Sequence, residues 1–376
     1  MFTIFLTCVF STLIIASILF AIFFRQLFPK FIKRHICLKI FLFNVFLLLL
    51  LFFSKFIQNE TATWSAFQQL IIIIFVSELF FTAAMLIFNG ISRLYAAFIT
   101  KPVNKSRRNF LMKSALIPVE GIVLYGSFIE KNHIILNKYN IPIAAASTWK
   151  GLKIAHLTDV HMGSYFSLAK LKTTMERLVA LEPDILAVTG DIFDDDNTNE
   201  KSIALIGQYC NSFKHGIYYC WGNHEYMRNM DVIRNSLAKT DIHVLENQNI
   251  TIENGKDKLT LIGVDYPRDR THFTQLGTEY MEKALVGVPQ DSLKILLAHH
   301  SDFIDNAFAN NINLALTGHT HGGQFGLFGY PLFPGFKYVR GMFVNNGSYG
   351  YVSTGAGSWF PFRLGCPPEI TLFTIV

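Results

Sequence analysis

Tyr218-Tyr219-Cys220-Trp221-Gly222-Asn223-His224-Glu225 is an apolar run that stops at a glycine and delivers an amide and an imidazole side by side. A buried strand that ends in such groups usually carries them to a site. The same pattern recurs along the chain. Leu152 to Thr158 runs into Asp159-Val160-His161, Asp184 to Gly190 into Asp191, Leu293 to Ala298 into His299, and Ile312 to Gly318 into His319-Thr320-His321. Five short buried strands are therefore expected to end in Asp159, His161, Asp191, Asn223, His299, His319 and His321, with His224 beside them. Oxygen and nitrogen donors without a cysteine suit a hard or borderline metal pair better than structural zinc.

Between these strands the pattern is helical. Leu168 to Leu181 carries apolar residues at helical spacing and is stopped by Pro183; Glu200 to Cys210 and Val232 to Leu237 read the same way. Strands alternating with helices give an α/β architecture with a partly parallel sheet, whose ligands gather at the carboxyl ends of the strands. After Asp241 the sequence is richer in strands, at Ile242 to Leu245, Ile250 to Glu253 and Leu259 to Val264, and a second sheet packed on the first is expected. Thr278 to Leu285 reads as a helix, and beyond Gly322 the chain is rich in Gly, Pro and aromatics, as in hairpins and site-lining loops.

The first third is different. Hydrophobic residues make up 51% of the 376, and the 36 phenylalanines concentrate early. Membrane spans are expected near 1–24, 36–53, 66–88 and 112–129, an all-α region of about four helices ahead of a domain at 150–376. Residues 1–129 hold 12 Lys/Arg against 3 Asp/Glu, whereas 130–376 hold 21 against 24. The net charge of +6 thus belongs to the membrane region, and no aromatic-interleaved basic stripe marks a nucleic-acid surface.

Loop charge orients the spans. Arg25, Lys30, Lys33 and Arg34 follow the first, Lys55 and Glu60 lie between the second and third, and Arg93, Lys101, Lys105, Arg107 and Arg108 follow the third. The positive-inside rule then makes this a multi-pass protein of the cytoplasmic membrane with its 150–376 domain outside; with three spans that domain would be cytoplasmic. Ser106-Arg107-Arg108-Asn109-Phe110-Leu111 reads either as a twin-arginine export signal or as a basic stop before the fourth span. Glu78 and Glu120 lie in apolar segments, where an ionisable group is costly, and are read as pairing with each other or with Lys113 to glue helices together. The five cysteines have no metal-like spacing; Cys210 and Cys220 either pair in an oxidising compartment or join Cys366 as buried thiols.

Asp159-Val160-His161, Gly190-Asp191-Ile192-Phe193-Asp194, Gly222-Asn223-His224-Glu225, His299 and Gly318-His319-Thr320-His321, in this order and each after an apolar strand, resemble the calcineurin-like metallophosphoesterase superfamily over about residues 150–376. Thr317 to Gln324 and the tail Gly365-Cys366-Pro367-Pro368-Glu369-Ile370 are similar to its membrane-anchored bacterial branch with an exported catalytic domain. The resemblance implies a four-layer αββα sandwich with two divalent metal ions, of Mn, Fe or Zn, in its crevice. Asp159, His161 and His321 would hold one ion, Asn223, His299 and His319 the other, and Asp191 would bridge them. His224 would bind no metal and would act on the leaving oxygen or on phosphate charge. Where the family has a proline one residue before an acid, this chain has His299-His300-Ser301-Asp302; either histidine fits, and register after the strand favours His299. Asp194 is read as supporting the ligands, Asp195 and Asp196 as solvated, and Arg363 either as a substrate-binding group for phosphate or as a surface arginine.

The implied function is a membrane-anchored phosphoesterase that hydrolyses phosphodiester or pyrophosphate bonds by attack of a metal-bridged hydroxide, as two-metal sites do. Its substrate would be a phosphorylated small molecule or a lipid-linked one. The alternatives are a UDP-2,3-diacylglucosamine-type pyrophosphatase of lipid A synthesis, which conflicts with an external domain, and a non-catalytic metal-bound scaffold, which commonly lacks the catalytic histidine or some ligands.

Overall fold

The computed structural model describes residues 2–54, 62–98, 105–143, 147–332, 335–358 and 360–376, and within them the chain divides into two units, Met1–Ile129 and Glu130–Val376. In the first unit, apolar runs fold as α1 (Phe2–Leu27), α2 (Arg34–Ser54) and α3 (Ala62–Phe98), and the basic α4 (Lys105–Ser114) leads into the apolar α5 (Leu116–Leu124), continued by a π-helical turn over Tyr125–Ile129. Among the described residues, four stretches are long and apolar enough to cross a membrane: Thr7–Leu27, His35–Phe53, Trp64–Phe98 and Ser106–Asn132. Lys55, Glu60 and Lys101, which enter the loop-charge argument, lie outside the described residues.

Glu78 and Glu120 do not pair with each other or with Lys113, contrary to expectation. Asn44 Nδ2 donates to Glu78 Oε1 at 2.7 Å and to Ser17 Oγ at 2.6 Å, tying α1, α2 and α3. Ser77 Oγ donates to Glu120 Oε2 at 2.9 Å, and Lys113 Nζ sits 4.9 Å over the Phe28 ring. A neutral donor meets one oxygen of each carboxyl, which avoids bringing two acids together in apolar surroundings, while Glu78 Oε2 stays buried without a hydrogen-bond partner.

The second unit contains, in order, β1 (Ile135–Ile141), β2 (Lys153–Leu157), α6 (Leu168–Val179), β3 (Ile185–Thr189), α7 (Asn199–Gly207), β4 (Ile217–Cys220), α8 (Met230–Leu237), β5 (Ile242–Val244), β6 (Gln248–Asn254), β7 (Asp257–Gly263), α9 (Phe273–Ala284), β8 (Leu293–Leu297), α10 (Phe303–Ala309), β9 (Leu314–Thr317), β10 (Gly326–Leu327), β11 (Tyr330–Pro331), β12 (Gly341–Asn345), β13 (Ser348–Val352) and β14 (Glu369–Ile375). Among the described residues they build two six-stranded sheets, ordered β1-β14-β2-β3-β4-β5 and β12-β13-β9-β8-β7-β6, and a two-stranded hairpin of β10 and β11. The centres, β2 to β5 and β13-β9-β8-β7, are parallel.

Strand periodicity sorts the side chains into layers. Ile154, Ile185, Ala187, Tyr218 and Cys220 pack with Leu261, Ile295, Leu297 and Leu316 between the sheets. Their neighbours Ala155, Leu157, Leu186, Val188 and Tyr219 point outward onto Leu171, Met175 and Leu178 of α6 and onto residues of α7 and α8. On the far side, Ile262, Leu296 and Ala315 meet Met281 and Ala284 of α9 and Phe303 and Ala307 of α10. The order is α, β, β, α, the expected four-layer sandwich.

The same layering keeps the cysteines apart. Cys210 belongs to the outer layer and Cys220 to the layer between the sheets; both are free thiols. Among the elements not anticipated are β1, β14 and α10. β1 lies upstream of residue 150 and pairs in parallel with β14 over Ile135–Ile141, and α10 follows the His299-His300 pair.

Candidate metal centre

Every parallel strand that carries a candidate ends at the same rim, so the residues after β2, β3, β4, β8 and β9 meet there. Asp159, His161 and His321 bring ligand atoms within 4.8 Å of one another, as do Asp191, His299 and His319, and as do His161, Asp194 and His224. His161 Nε2 lies 2.9 Å from His321 Nε2 and 3.7 Å from Asp191 Oδ2, and His321 Nε2 lies 3.3 Å from Asp159 Oδ1. On the other side His299 Nε2 is 3.2 Å from both Asp191 Oδ2 and His319 Nδ1. Asp191 therefore faces both groups.

The backbone is bent to achieve this. Asp159, His161, Asp191, His319 and His321 have φ of 52°, 48°, 53°, 71° and 49°, the left-handed region that non-glycine residues seldom occupy. Such strain costs of order 1–3 kcal/mol per residue and gathers where function over-determines the chain. Two glycines make room for the acids: a Cβ on Gly318 would stand 2.1 Å from Asp159 Oδ2, and one on Gly222 would stand 2.2 Å from Asp191 Oδ1.

Ring orientation is fixed from behind, as metal-ligating histidines require. His299 Nδ1 donates to the Thr189 carbonyl at 2.7 Å, which leaves Nε2 for the cluster. His161 Nδ1 and His224 Nδ1 each lie 2.9 Å from Asp194 Oδ2, and Arg228 holds the other Asp194 oxygen at 2.7 Å. Asp194 thus supports the histidines as read from the sequence. Asp195 and Asp196 organise the loop ahead of α7, accepting from Thr198 Oγ1 and from the Asn229 amide.

The electrostatics invite cations. Burial opposes charge on Asp191, but His299, His224 and His161 hold its carboxyl well below the usual range. Burial pushes Asp159 up, with the Asp191 charge adding to it against His299 and His161. Burial also pulls His319 and His321 well down, keeping them neutral, the form that ligates. His299 is pushed up to about 10 because Asp191 and Asp159 overcome its burial. A cluster that draws a proton onto a fully buried imidazole would draw a metal ion in its place. Asn223 supports the same reading: its Oδ1 is buried without a hydrogen-bond partner, a cost of about 1–3 kcal/mol that a ligated ion would remove. Donor types, burial and the unpaired amide oxygen fit a pair of divalent ions.

His224 is set apart. Its side chain is 23% exposed, more than any partner around it, and its Nε2 lies 4.0 Å from Asp191 Oδ2. Burial lowers its pKa, but the Asp194 hydrogen bond and the Asp191, Asp194 and Glu225 charges carry it up to about 9. His300, the alternative to His299, belongs to none of the three donor groups; its ring packs on His319 at 4.5 Å among Phe273, Tyr266 and Phe336, and burial lowers it to about 3.

Arg363 is a correction. It is fully buried, and its guanidinium is spent on Ser358 Oγ (2.7 Å) and on the carbonyls of Cys366 (3.0 Å), Thr354 (2.7 Å) and Gly357 (2.5 Å). Its Nη2 also lies 3.1 Å from His321 Nδ1, so it orients that ring and presents no donor to a phosphate. Glu225 has a role that the sequence reading missed. Its two oxygens accept the backbone N–H groups of Asp191 (3.0 Å), Ile192 (2.7 Å), Phe193 (3.1 Å) and Gly222 (3.0 Å), clamping the β3 and β4 loops together. Its place directly after Asn223-His224 was the available signal.

The family model for calcineurin-like phosphoesterase matches residues 152–323. An uncharacterised metallophosphoesterase of Helicobacter pylori strain J99 is 32% identical over 286 residues, covering 72% of this chain and 72% of that one. The uncharacterised metallophosphoesterase YkuE of Bacillus subtilis is 28% identical over 288 residues, 72% of this chain and 97% of its own. A Bos taurus protein named as a transmembrane protein with metallophosphoesterase domain is 33% identical over 237 residues, 58% of this chain and 52% of its own. With its apolar helices and its rim of Asp and His residues, the chain is a membrane protein that belongs to the calcineurin-like metallophosphoesterases.

Proposed function

We propose that the Glu130–Val376 unit hydrolyses phosphodiester or pyrophosphate bonds with two divalent metal ions, Mn, Fe or Zn. The observation that carries this reading is the convergence of two donor groups on Asp191, one with Asp159, His161 and His321, the other with His299 and His319, together with a buried Asn223 oxygen that has no hydrogen-bond partner. When bound, the ion pair supplies Lewis acidity, a nucleophile from water at neutral pH and charge neutralisation on the phosphoryl oxygens.

The chain's own groups do the rest. Asp194 fixes the His224 ring through Nδ1, so Nε2 faces the ligand cluster and holds a proton ready for the leaving oxygen. Arg228 holds Asp194 in turn, and the His224 amide donates to Asp191 Oδ1 at 2.8 Å, which ties the acid group to the carboxylate that would be shared by both ions. The substrate is read as a phosphorylated small molecule or a lipid-linked phosphoester.

Replacing Asp191 by Asn is the test of the shared ligand. Metal analysis of the purified, reconstituted full chain should give about two ions per chain, and Asp191→Asn should lose both together because each group leans on that carboxylate. Loss of one ion with the other fully retained would show that Asp191 serves a single site.

We infer further that the catalytic unit lies outside the cytoplasmic membrane, on the loop-charge contrast and the four apolar stretches. An alkaline phosphatase fusion after Val376 is expected to be active. A silent phosphatase fusion with an active cytoplasmic reporter at the same position would reverse the orientation and return the lipid A pyrophosphatase reading.

A further inference from the structure

β10 and β11 form a hairpin directly after the turn that carries His321, and its tip is apolar and bare. Leu327, Phe328, Tyr330 and Leu332 are 54%, 91%, 77% and 49% exposed. The hairpin pairs Leu327 with Tyr330, so Phe328 and Gly329 are the two central turn residues, with φ of 50° and 85°. Positive φ at both positions is the primed turn that hairpins favour, and it selects Asn-Gly or Asp-Gly because an aromatic residue is strained in the left-handed region. This chain spends that strain on a phenylalanine that touches almost nothing. Strain without packing in return points to a partner outside the molecule.

The base of the hairpin is rigid. The Gly326 amide donates to the Leu364 carbonyl at 2.6 Å, the Leu332 amide to Phe325 O at 2.9 Å, and Gln324 Nε2 to the carbonyls of Phe360 and Phe362 at 3.1 and 3.0 Å. Arg340 spans the turn and its base, donating to Gly329 O at 2.6 Å and to Gly365 O at 3.0 Å. The tip is therefore a fixed apolar wedge with a guanidinium at its root.

We propose that this hairpin inserts into the interface of a lipid bilayer. Three observations select lipid over protein. The same chain carries four stretches long and apolar enough to cross a membrane, so a bilayer is tethered to the catalytic unit at high effective concentration. Four side chains offer roughly 500 Å² of surface, short of the about 800 Å² per partner of a stable protein interface. Phe, Tyr and Leu above an arginine are the composition of an interfacial anchor, with the rings at the headgroup level and the cation toward anionic lipid. Because the wedge continues from the loop of His319 and His321, the insertion would present the metal centre to phosphoesters at the bilayer surface. That last consequence rests on the hydrolytic reading; the insertion does not.

The test uses the full chain in nanodiscs of mixed phosphatidylcholine and phosphatidylglycerol, with p-benzoyl-phenylalanine placed at Phe328 or, for reference, at Val286, which is 75% exposed on the same unit. Illumination should give lipid-mass adducts at position 328 in about ten-fold excess over position 286. Chain-to-chain adducts at 328, or equal lipid adducts at both positions, would overturn the proposal. Phe328→Asn supplies a second measurement, since asparagine relaxes the turn. Its melting temperature in detergent should hold or rise, while lipid adducts from the benzoyl group moved to Leu327 should fall several-fold. A lower melting temperature with undiminished adducts would make Phe328 a structural residue. Lipid adducts on a chain that hydrolyses no phosphoester would leave the insertion standing and remove the catalytic reading.

Discussion

His224→Ala is expected to lower turnover by roughly 100- to 10,000-fold while both metal ions stay bound, the range typical of a positioned acid or base. The geometry separates the two effects. The His224 ring stands off from Asp191, its Nε2 4.0 Å from Asp191 Oδ2, whereas the two donor groups that meet at Asp191 close without it. Its Nδ1 is committed to Asp194, and the surrounding acids keep the ring protonated at neutral pH. The loss should be greatest for esters with alkoxide leaving groups, which need a proton, and small for nitrophenolates, which depart without one. Steady-state rates on both substrate kinds, with metal analysis of the same preparation, provide the check. An equal loss on both accompanied by metal loss would make His224 a ligand, and no loss on either would favour the scaffold.

Glu225→Ala is expected to lower the melting temperature of the full chain by on the order of 10 °C, since about 1 kcal/mol moves a domain of this size by 2–4 °C. The alanine leaves four buried backbone N–H groups without an acceptor, each costing about 1–3 kcal/mol. One term runs the other way, because the substitution also removes a negative charge that repels Asp191. That relief is smaller than four lost charge-assisted hydrogen bonds, which are roughly twice as strong as neutral ones. Glu225→Gln should fall between, because its amide nitrogen would face two donors where an oxygen now accepts. Thermal unfolding of the metal-loaded protein decides the matter, and an unchanged transition for Glu225→Ala would mean that the clamp contributes nothing.

The strand-end pattern made much of this centre legible before any coordinates. Apolar runs that stop at Thr158, Gly190, Gly222, Ala298 and Gly318 state both where a parallel strand ends and which side chain follows it. What was not legible depends on partners that no side-chain pattern encodes. Glu225 is read by backbone amides, and amides look alike at every position. Arg363 looks like any loop arginine until the fold buries it beside His321. β1 reads Ile-Leu-Asn-Lys-Tyr-Asn-Ile, too polar to announce a strand, and it becomes one only because β14, far along the chain, offers it an edge. α10 was hidden because it starts at Phe303, directly after the His299-to-Asp302 segment, where the acid and histidines drew the reading toward chemistry.

The placement of β1 bears on how the catalytic unit can be separated from its anchor. β1 covers β14 along seven paired residues, Tyr139 stacks on Phe373 at 5.8 Å, and Glu130 Oε1 accepts the Cys366 amide at 2.7 Å. A protein trimmed near residue 150 would bare the ladder of β14 and the rings beneath it, an unprotected edge of the kind that recruits other chains. The same cut would free the amide of Cys366, whose carbonyl is one of the groups that seat Arg363 behind His321. A soluble form of the unit is therefore best begun at Glu130: the segment from Glu130 through β1 is the unit's own selvedge, and cutting it off lets the weave unravel toward His321.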